Sequence, residues 1–453
     1  MDTNESTPSL RKALAEFLTF YIPLAVQGIS MSLTYPLVGS IVSHGRFGAE
    51  EYSVFAQAQT VMFLVASVGT GLVTTGMIFA RTRTGMRNFT HLSFFLGLVA
   101  CLLQLACAIP PLDALILGRL YHLDGDLFGI ARRTLLYSIP MNFAFFARNP
   151  YLATLFSEKR SDKAIFATFF RIGLTWAGSV VFVRVGLTGW AWGLTLTTVA
   201  VIIETALCHL FALPYIRRLT DAPDAEKASV WRQCAFTIPL SLGGTMINIS
   251  TVMVAIFLTL TPDPITSRTI HYVVMGIINP FNAAALRMQS ATIAFPPEKY
   301  GKTRIQVFAV GIGLVFCSVS FLLQIPALAN WYFGDVQNLT AEQVRFAMNA
   351  MLIVAAAPVI QSLRGNAEGL AALRRRPNAT LSGQMAYLAT LVCVFFLLVR
   401  FAPVKGYVMG AISIVAAQFA AFVTLRIALM SNDLADHYHV AHTTRHSDRP
   451  SAL

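Results

Sequence analysis

The chain has 453 residues, of which 55% are hydrophobic and only 12% are charged, and its mean hydropathy is +0.62. So few charged side chains cannot cover so much apolar surface in water, which excludes an ordinary soluble globular protein. The formal net charge is +12. We attribute this charge to basic loops at one face of a membrane and expect no nucleic-acid partner.

Twelve stretches of the sequence are long and apolar enough to cross a bilayer, which takes about 20 mostly apolar residues. In chain order they are 17–43, 53–80, 89–110, 134–156, 165–185, 187–212, 234–260, 269–295, 305–328, 346–371, 381–401 and 405–430. Backbone polar groups in hydrocarbon have to be satisfied within each segment, so helices are expected. The sequence predicts an all-α polytopic membrane protein with twelve transmembrane helices.

Lysine and arginine residues concentrate in alternate loops of this topology. The compact groups are Arg81, Arg83 and Arg87; Lys159, Arg160 and Lys163; Lys299, Lys302 and Arg304; and Arg374, Arg375 and Arg376. Basic residues mark the cytoplasmic side of a membrane protein. We therefore expect both termini in the cytoplasm and a multi-pass protein of the plasma membrane, in a bacterium the inner membrane.

The two halves of the chain repeat each other. IPLAVQG at 22–28 reappears as IPLSLGG at 238–244, which aligns Pro23 with Pro239 and Gly28 with Gly244 at a shift of 216. A shift of 217 aligns Asn149 with Asn366. Because six spans are followed by six, both halves have the same orientation, as in a parallel repeat with a cleft between the lobes.

The repeat predicts the division of the chain. We expect an N-terminal six-helix lobe at 1–212, a cytoplasmic linker at 213–233, a C-terminal six-helix lobe at 234–430 and a disordered cytoplasmic tail at 431–453. The linker is placed on LTDAPDAEKAS, a polar stretch typical of a loop.

Three stretches resemble the MOP exporter superfamily, which includes MATE drug exporters, lipid-linked oligosaccharide flippases and progressive ankylosis (ANK) transporters. They are FYIPLAVQGISMSLTYPLVGSIVSHGRFGAEEYSVFAQAQ at 20–59, SVGTGLVTTGMIFARTRTGMRN at 67–88 and APVIQSLRGNAEGLAALRRRPNAT at 357–380, the last being similar to ANK proteins. The resemblance implies a MATE-like fold and export by alternating access between the two lobes.

One departure from the MATE pattern bears on the substrate. Cation-coupled MATE exporters carry an acid in the first span or acids in the seventh and eighth spans. This chain has Ser40 near the first position, and neither 234–260 nor 269–295 contains an aspartate or glutamate. A cation site of the usual kind, and cationic drugs as substrates, are therefore disfavoured.

Charged residues inside the predicted spans are the main candidates for function, because charge deep in a bilayer is costly. Four arginines, Arg148, Arg171, Arg287 and Arg364, outnumber two acids, Glu204 and Glu368. Guanidinium groups grip carboxylates and phosphates, so the pattern favours an anionic substrate. The alternative is that the arginines snorkel to lipid headgroups.

The two acids and four asparagines complete the candidate set. Glu204 and Glu368 are candidates for coupling to H+ or Na+; the alternatives are a hydrogen-bonded packing role for Glu204 and an ion pair with Arg364 for Glu368. The candidate substrate ligands are Asn149, Asn279, Asn282 and Asn366, which instead hold helices together if they face other spans.

The sequence thus predicts an exporter of a small, anionic organic substrate, in contact with membrane lipid. A flippase for a lipid-linked oligosaccharide and a MATE-type multidrug or cation antiporter stay open as alternatives. The sequence shows no nucleophile constellation or phosphate-cradling loop, and the six cysteines fall within spans without metal-ligand spacing, so we expect no enzyme activity, cofactor or metal.

Overall fold

The computed structural model describes residues 10–31, 34–121, 123–221, 228–261, 263–336, 339–402 and 404–447. The regular elements in these ranges are all helical. The first nine helices are α1 (Leu10–Met31), α2 (Thr34–Ser43), α3 (Ala49–Ala66), α4 (Leu72–Phe79), α5 (Arg83–Cys107), α6 (Gly125–Tyr137), α7 (Ile139–Ser157), α8 (Ser161–Arg184) and α9 (Trp190–Ile216). They form the first six spans, with α1–α2, α3–α4 and α6–α7 each making up one span.

The second half repeats this arrangement. Its helices are α10 (Val230–Thr259), α11 (Pro264–Leu286), α12 (Met288–Ala294), α13 (Pro297–Tyr300), α14 (Lys302–Leu322), α15 (Pro326–Ala329), α16 (Ala341–Val354), α17 (Ala357–Leu373), α18 (Pro377–Phe401) and α19 (Gly406–Ser447). Here α11–α12 and α16–α17 are the two-part spans. We call the two halves the N-lobe and the C-lobe.

The helices present apolar side chains outward, as a membrane requires. Phe95, Trp176 and Phe396 are each about 60% exposed at the outside of the bundle. Within the described ranges, nine helical segments are long and apolar enough to cross a membrane. The predicted first, fourth and seventh spans are also helical, at 10–43 apart from residues 32–33, at 125–157 and at 230–259.

Two predicted spans end earlier in the chain than expected, and the last helix ends later. The third ends at Cys107 instead of 110 and the ninth at Leu322 instead of 328, because prolines follow and the residue before a proline avoids helical geometry. Helix α19 runs to Ser447, past the predicted start of a disordered tail at 431, through a stretch without glycine or proline. The linker prediction at 213–233 lies partly outside the described residues.

Equivalent contacts recur in the two lobes at a spacing of 216 residues. In the N-lobe the Ser93 hydroxyl donates to the carbonyl of Phe146, 2.7 Å away; in the C-lobe the Ser362 hydroxyl donates to the carbonyl of Ala309, also at 2.7 Å. Positions 93 and 146 become 309 and 362 when shifted by 216. The same two backbones therefore approach each other in each lobe, with the serine on the opposite partner.

Irregular elements repeat as well as the packing contacts. A π-helical turn at Ala114–Leu120 has its equivalent at Asn330–Val336, again 216 residues later. A backbone hydrogen bond of 3.0 Å follows each turn. The N–H of Leu123 donates to the carbonyl of Leu117, and the N–H of Leu339 donates to the carbonyl of Phe333. This repetition confirms that the fold is two parallel copies of one six-helix unit.

The lobes meet along the first span of each. The Tyr21 hydroxyl donates to the carbonyl of Ala284 over 2.8 Å, which joins α1 to α11. A Cβ added to Gly28 would lie 3.3 Å from the Ala284 backbone, and one added to the equivalent Gly244 would lie 2.2 Å from the Thr70 side chain. Glycine at these positions lets α1 and α10 each approach the other lobe closely.

At one end of the bundle the lobes are sealed by aromatic side chains. We call this end the terminal face; it carries residue 10 and the loops at 80–82, 158–160, 295–301 and 374–376. Phe17 and Phe20 of α1 pack on Phe295 with ring centroids 4.9 and 5.5 Å apart, and Phe79 packs on Phe236 at 5.2 Å.

Two cations complete the seal with two-fold pseudosymmetry. Lys159 lies over the Phe295 ring of the C-lobe at 4.2 Å, and Arg375 lies over the Phe79 ring of the N-lobe at 5.3 Å. Both pairs are related by the shift of 216, and both cationic residues have left-handed backbones, with φ of 55° and 57°. We call these four residues the cation–π lock.

The close approach of α14 to α17 gives the first prediction. A Cβ added to Gly313 would lie 2.7 Å from Cα of Val359. Gly313→Ala should therefore lower the free energy of unfolding by about 1–3 kcal/mol, as overpacking does, and lower the unfolding midpoint in detergent.

The control lies on the same helix. Gly311 has nothing within 4 Å of an added Cβ, so Gly311→Ala should leave the midpoint unchanged or raise it slightly, because alanine favours helix over glycine. Equal midpoints for the two variants would contradict the packing assigned to α14 and α17.

Candidate functional site

A cavity of about 370 Å³ lies mainly within the N-lobe. Much of its wall is apolar and partly aromatic, formed by Val38, Phe55, Phe63, Met141, Phe145 and Val201. Its polar side chains are Gln59, Arg148, Arg171, Thr197 and Arg287. A mostly apolar cavity with a few convergent polar groups is typical of a site for a small organic molecule. We call it the N-lobe cavity.

Glu204 holds two of the cavity arginines from behind. Its carboxylate forms an ion pair with Arg148, lies 3.2 Å from Nε of Arg171 and accepts a 2.7 Å hydrogen bond from the Thr168 hydroxyl. Gln27 of α1 in turn donates to Thr168 over 2.9 Å. Glu204 is 1% exposed and does not line the cavity. One carboxylate therefore positions two guanidinium groups at the cavity wall.

The third arginine reaches the N-lobe cavity from the other lobe. Arg287 stands between α11 and α12 and lines the cavity together with Ala283. Arg287 and Arg148 line this same cavity from opposite lobes. Among the described residues that line this cavity, three are arginines and none is an acid.

A second cavity, of about 210 Å³, lies within the C-lobe. We call it the C-lobe cavity. Its polar lining includes four amide side chains, two tyrosines, a histidine and one arginine: Asn279, Asn282, Gln361, Gln418, Tyr272, Tyr387, His271 and Arg364. Ala283 of α11 lines both cavities, so this helix separates them.

The arginine of the C-lobe cavity is neutralised within its own helix. Nε of Arg364 lies 2.9 Å from the carboxylate of Glu368, one turn further along α17, and Gln384 donates to the same oxygen over 3.3 Å. Both members of the pair are buried, at 2% and 4% exposure. The ion pair weighed as an alternative for Glu368 in the sequence is thus present.

Of the eight predicted substrate ligands, six line the two cavities and two do not. Neither Asn149 nor Asn366 is among the residues lining the N-lobe or C-lobe cavity. Asn366 donates to the carbonyl of Ile305 over 3.4 Å and so joins α17 to α14. Successive residues of a helix point in directions about 100° apart. Asn149 and Asn366 therefore point away from the cavities that Arg148 and Arg364 line.

Several polar residues of the site were not among the predicted ligands. They are Gln27, Thr168, Thr197, His271, Gln361, Tyr387 and Gln418. Each is a polar side chain in an otherwise apolar span, which is a signal for burial within the bundle. Sequence position alone does not tell which helix face meets a cavity.

Comparison with solved structures identifies the class of fold. The chain has the fold of MATE transporters of the MOP superfamily, as its sequence resemblance predicted. No protein-family model matches the sequence, and no curated protein does.

Individual structures cover nearly all of the chain at low identity. A multidrug resistance MATE family transporter of the MOP superfamily, in an outward-facing conformation, has a TM-score of 0.70 at 17% identity, over 94% of this chain and 99% of the other. A MOP superfamily transporter from Pyrococcus furiosus, described as having a binding pocket of reverse polarity that suggests a different function, has a TM-score of 0.67 at 16% identity, over 94% and 98%. The Vibrio cholerae MATE transporter VcmN in its bent form has a TM-score of 0.68 at 15% identity, over 94% of this chain and 99% of the other.

The role of Glu204 in holding Arg148 and Arg171 gives the second prediction. Glu204→Gln removes the carboxylate between two buried guanidinium groups, which should lower the free energy of unfolding by about 3–5 kcal/mol, the usual cost of leaving a buried charge without its partner. The measurement is the thermal unfolding midpoint of the purified protein.

A surface ion pair is the matched control. Glu342 and Lys405 lie 4.0 Å apart, with side chains 65% and 58% exposed, and such pairs contribute about 1 kcal/mol or less. Glu342→Gln should therefore change the midpoint little. If Glu204→Gln is as stable as Glu342→Gln, the ion-pair network does not hold the arginines as described.

Proposed function

We propose that the chain is a membrane transporter that exports a small organic anion by alternating access between its two lobes. The observation that carries this proposal is the lining of the N-lobe cavity. Three arginines reach its wall, Arg148, Arg171 and Arg287, and none of the residues lining it in the described part of the chain is an aspartate or glutamate.

The shape of this cavity narrows the substrate class. Guanidinium groups bind a carboxylate or phosphate through charge-assisted hydrogen bonds, and the wall of Phe55, Phe63 and Phe145 suits an apolar or aromatic part of the same molecule. In this proposal Arg148, Arg171 and Arg287 bind the anionic group. Glu204 and Glu368 are the candidates for coupling to H+ or Na+.

Two alternatives use the same fold. A multidrug or cation antiporter of the MATE type is disfavoured because the described residues lining either cavity include arginine but no acid. A described MOP superfamily transporter likewise carries a pocket of reverse polarity. A lipid-linked oligosaccharide flippase would place a diphosphate on the arginines and needs a route for the lipid tail.

In the proposed cycle, opening of the cation–π lock allows the two lobes to move apart. With the basic loops facing the cytoplasm, the terminal face is the inner one, and the lock closes the cleft on that side. The structure then corresponds to an outward-facing state. Release of Lys159 from Phe295 and of Arg375 from Phe79 would let the lobes part at the inner face. Because each pair joins the two lobes, both pairs have to open for the lobes to part.

The anion proposal is tested by ligand-induced stabilisation. An organic anion such as an aromatic carboxylate should raise the unfolding midpoint in proportion to RT ln(1 + [L]/Kd), whereas cationic drugs should not. Arg287→Gln should weaken anion binding by about tenfold or more, because a charge-assisted contact is lost. Lipid-linked phosphates form the third arm of the panel.

Arg184→Gln is the control, since Arg184 is exposed at the end of α8 and lines neither cavity. It should bind anions like the wild type. If only cationic drugs stabilise the protein, and do so equally in Arg287→Gln and Arg184→Gln, the protein is a multidrug antiporter and the anion proposal is wrong. Stabilisation by lipid-linked phosphates alone would favour the flippase.

The lock is tested by cysteine accessibility. Ser157 lines a cavity at the terminal face together with Ile293 and Pro296 of the other lobe. In a background without the six native cysteines, Ser157→Cys should react slowly with a membrane-impermeant maleimide. Adding Lys159→Gln and Arg375→Gln together should speed labelling, and each alone should have a smaller effect.

Arg160→Gln provides the control next to the lock. Arg160 pairs with Asp162 at 2.8 Å within its own lobe, so its loss should leave labelling unchanged. If the double lock variant is labelled no faster than Arg160→Gln, the two cation–π pairs do not hold the lobes together.

A further inference from the structure

The C-lobe cavity contains buried polar atoms that the protein itself does not satisfy. Asn282 Oδ1, Gln361 Oε1, Gln418 Oε1 and Arg364 Nη2 have no hydrogen-bond partner among the described residues. All four side chains line the cavity and are at least 92% buried. Buried polar atoms are nearly always paired in folded proteins, so these atoms indicate that the cavity receives a hydrogen-bonding occupant.

The charge of this cavity differs from that of the N-lobe cavity. Among the described residues that line it, the charged side chains are Arg364, which pairs with Glu368 at 2.9 Å, and the ionisable His271. The other polar groups in its lining are amides and hydroxyls. Within the described lining, the one arginine is therefore already paired, and uncharged polar groups predominate.

The unsatisfied atoms specify the chemistry of the occupant. Amide groups offer acceptor oxygens and donor nitrogens, while Arg364 Nη2 offers only donors. A hydroxyl group both donates and accepts, so a ligand with several hydroxyls satisfies both kinds of partner at once. The rings of Tyr272 and Tyr387 add flat apolar faces to the same lining.

The position of the cavity connects it to the proposed anion site. Ala283 lines both cavities, Asn282 faces one and Arg287 the other. Five residues separate Asn282 from Arg287, which is about 7.5 Å along a helix axis. The polar linings of the two cavities therefore lie next to each other along α11.

We propose that the C-lobe cavity binds an uncharged, hydroxyl-rich group, and that the exported anion is a water-soluble polyhydroxylated compound such as a sugar phosphate. The second clause rests on the proposed function; the first does not. The anionic group then lies at Arg148, Arg171 and Arg287, and the hydroxyls reach Asn282, Gln361 and Gln418.

The test measures thermal stabilisation of the full-length protein in a detergent without a sugar headgroup. The probes are glucose 6-phosphate, inorganic phosphate, benzoate, myo-inositol and a polyprenyl-linked sugar phosphate. We expect glucose 6-phosphate to bind about tenfold more tightly than inorganic phosphate, since several neutral hydrogen bonds are added. Tighter binding of the polyprenyl compound than of glucose 6-phosphate would support the hydroxyl-binding cavity. It would overturn the proposal that the exported anion is water-soluble.

Variants in each cavity distinguish binding of the hydroxyl groups from binding of the phosphate. The double variant Asn282→Leu/Gln418→Leu should bind glucose 6-phosphate only as well as inorganic phosphate. Arg287→Gln should weaken the binding of glucose 6-phosphate and of inorganic phosphate by the same factor, so the ratio of the two affinities should not change. Gln57→Leu is the control, because Gln57 also carries a buried oxygen without a partner among the described residues but lines neither cavity; it should behave like the wild type.

Each outcome bears on one proposal. Equal affinity for glucose 6-phosphate and inorganic phosphate would overturn the hydroxyl site and leave the anion transporter standing. Stabilisation by myo-inositol without any anion effect would support the hydroxyl site and overturn the anion transporter. If benzoate binds and both sugar compounds fail, the C-lobe cavity does not take hydroxyl-rich groups.

Discussion

The pairing of buried arginines with buried carboxylates is the interaction on which the interior of this protein depends. A guanidinium group inside a membrane protein keeps its charge, so it requires a partner or a route to water. Glu204 provides that partner for Arg148 and Arg171, and Glu368 provides it for Arg364. These contacts fix the arginines in position instead of letting them extend toward lipid headgroups.

The pairing also gives the two cavities different characters. One carboxylate in the N-lobe pairs with two arginines and a third arginine arrives from α11, so the described lining of the N-lobe cavity is basic and contains no acid. In the C-lobe, one arginine meets one glutamate within a single helix, which leaves a polar cavity with little excess charge. The lobes share their backbone architecture but not their chemistry. An asymmetric substrate that uses both cavities is consistent with this division.

The internal repeat is visible both within the lobes and in the contact between them. The hydrogen bonds of Ser93 and Ser362, the π-helical turns and the cation–π lock all follow the same spacing of 216 residues. At the terminal face, aromatic rings from both lobes form part of one core. Three further cores lie within single lobes. In the proposed cycle, the cores within each lobe would stay intact while the shared core opens.

The sequence by itself determined the helical class, the positions of the spans and the repeat, because a bilayer imposes length and hydropathy on every segment that crosses it. It also identified the charged residues, since each stands out in an apolar stretch. Only the tertiary structure decided that Arg148 and Arg171 share Glu204, that Asn366 binds the Ile305 backbone and that Lys159 meets Phe295. These contacts depend on the rotation of each helix about its axis and on residues far apart in the chain, and a mostly apolar span leaves that rotation undetermined.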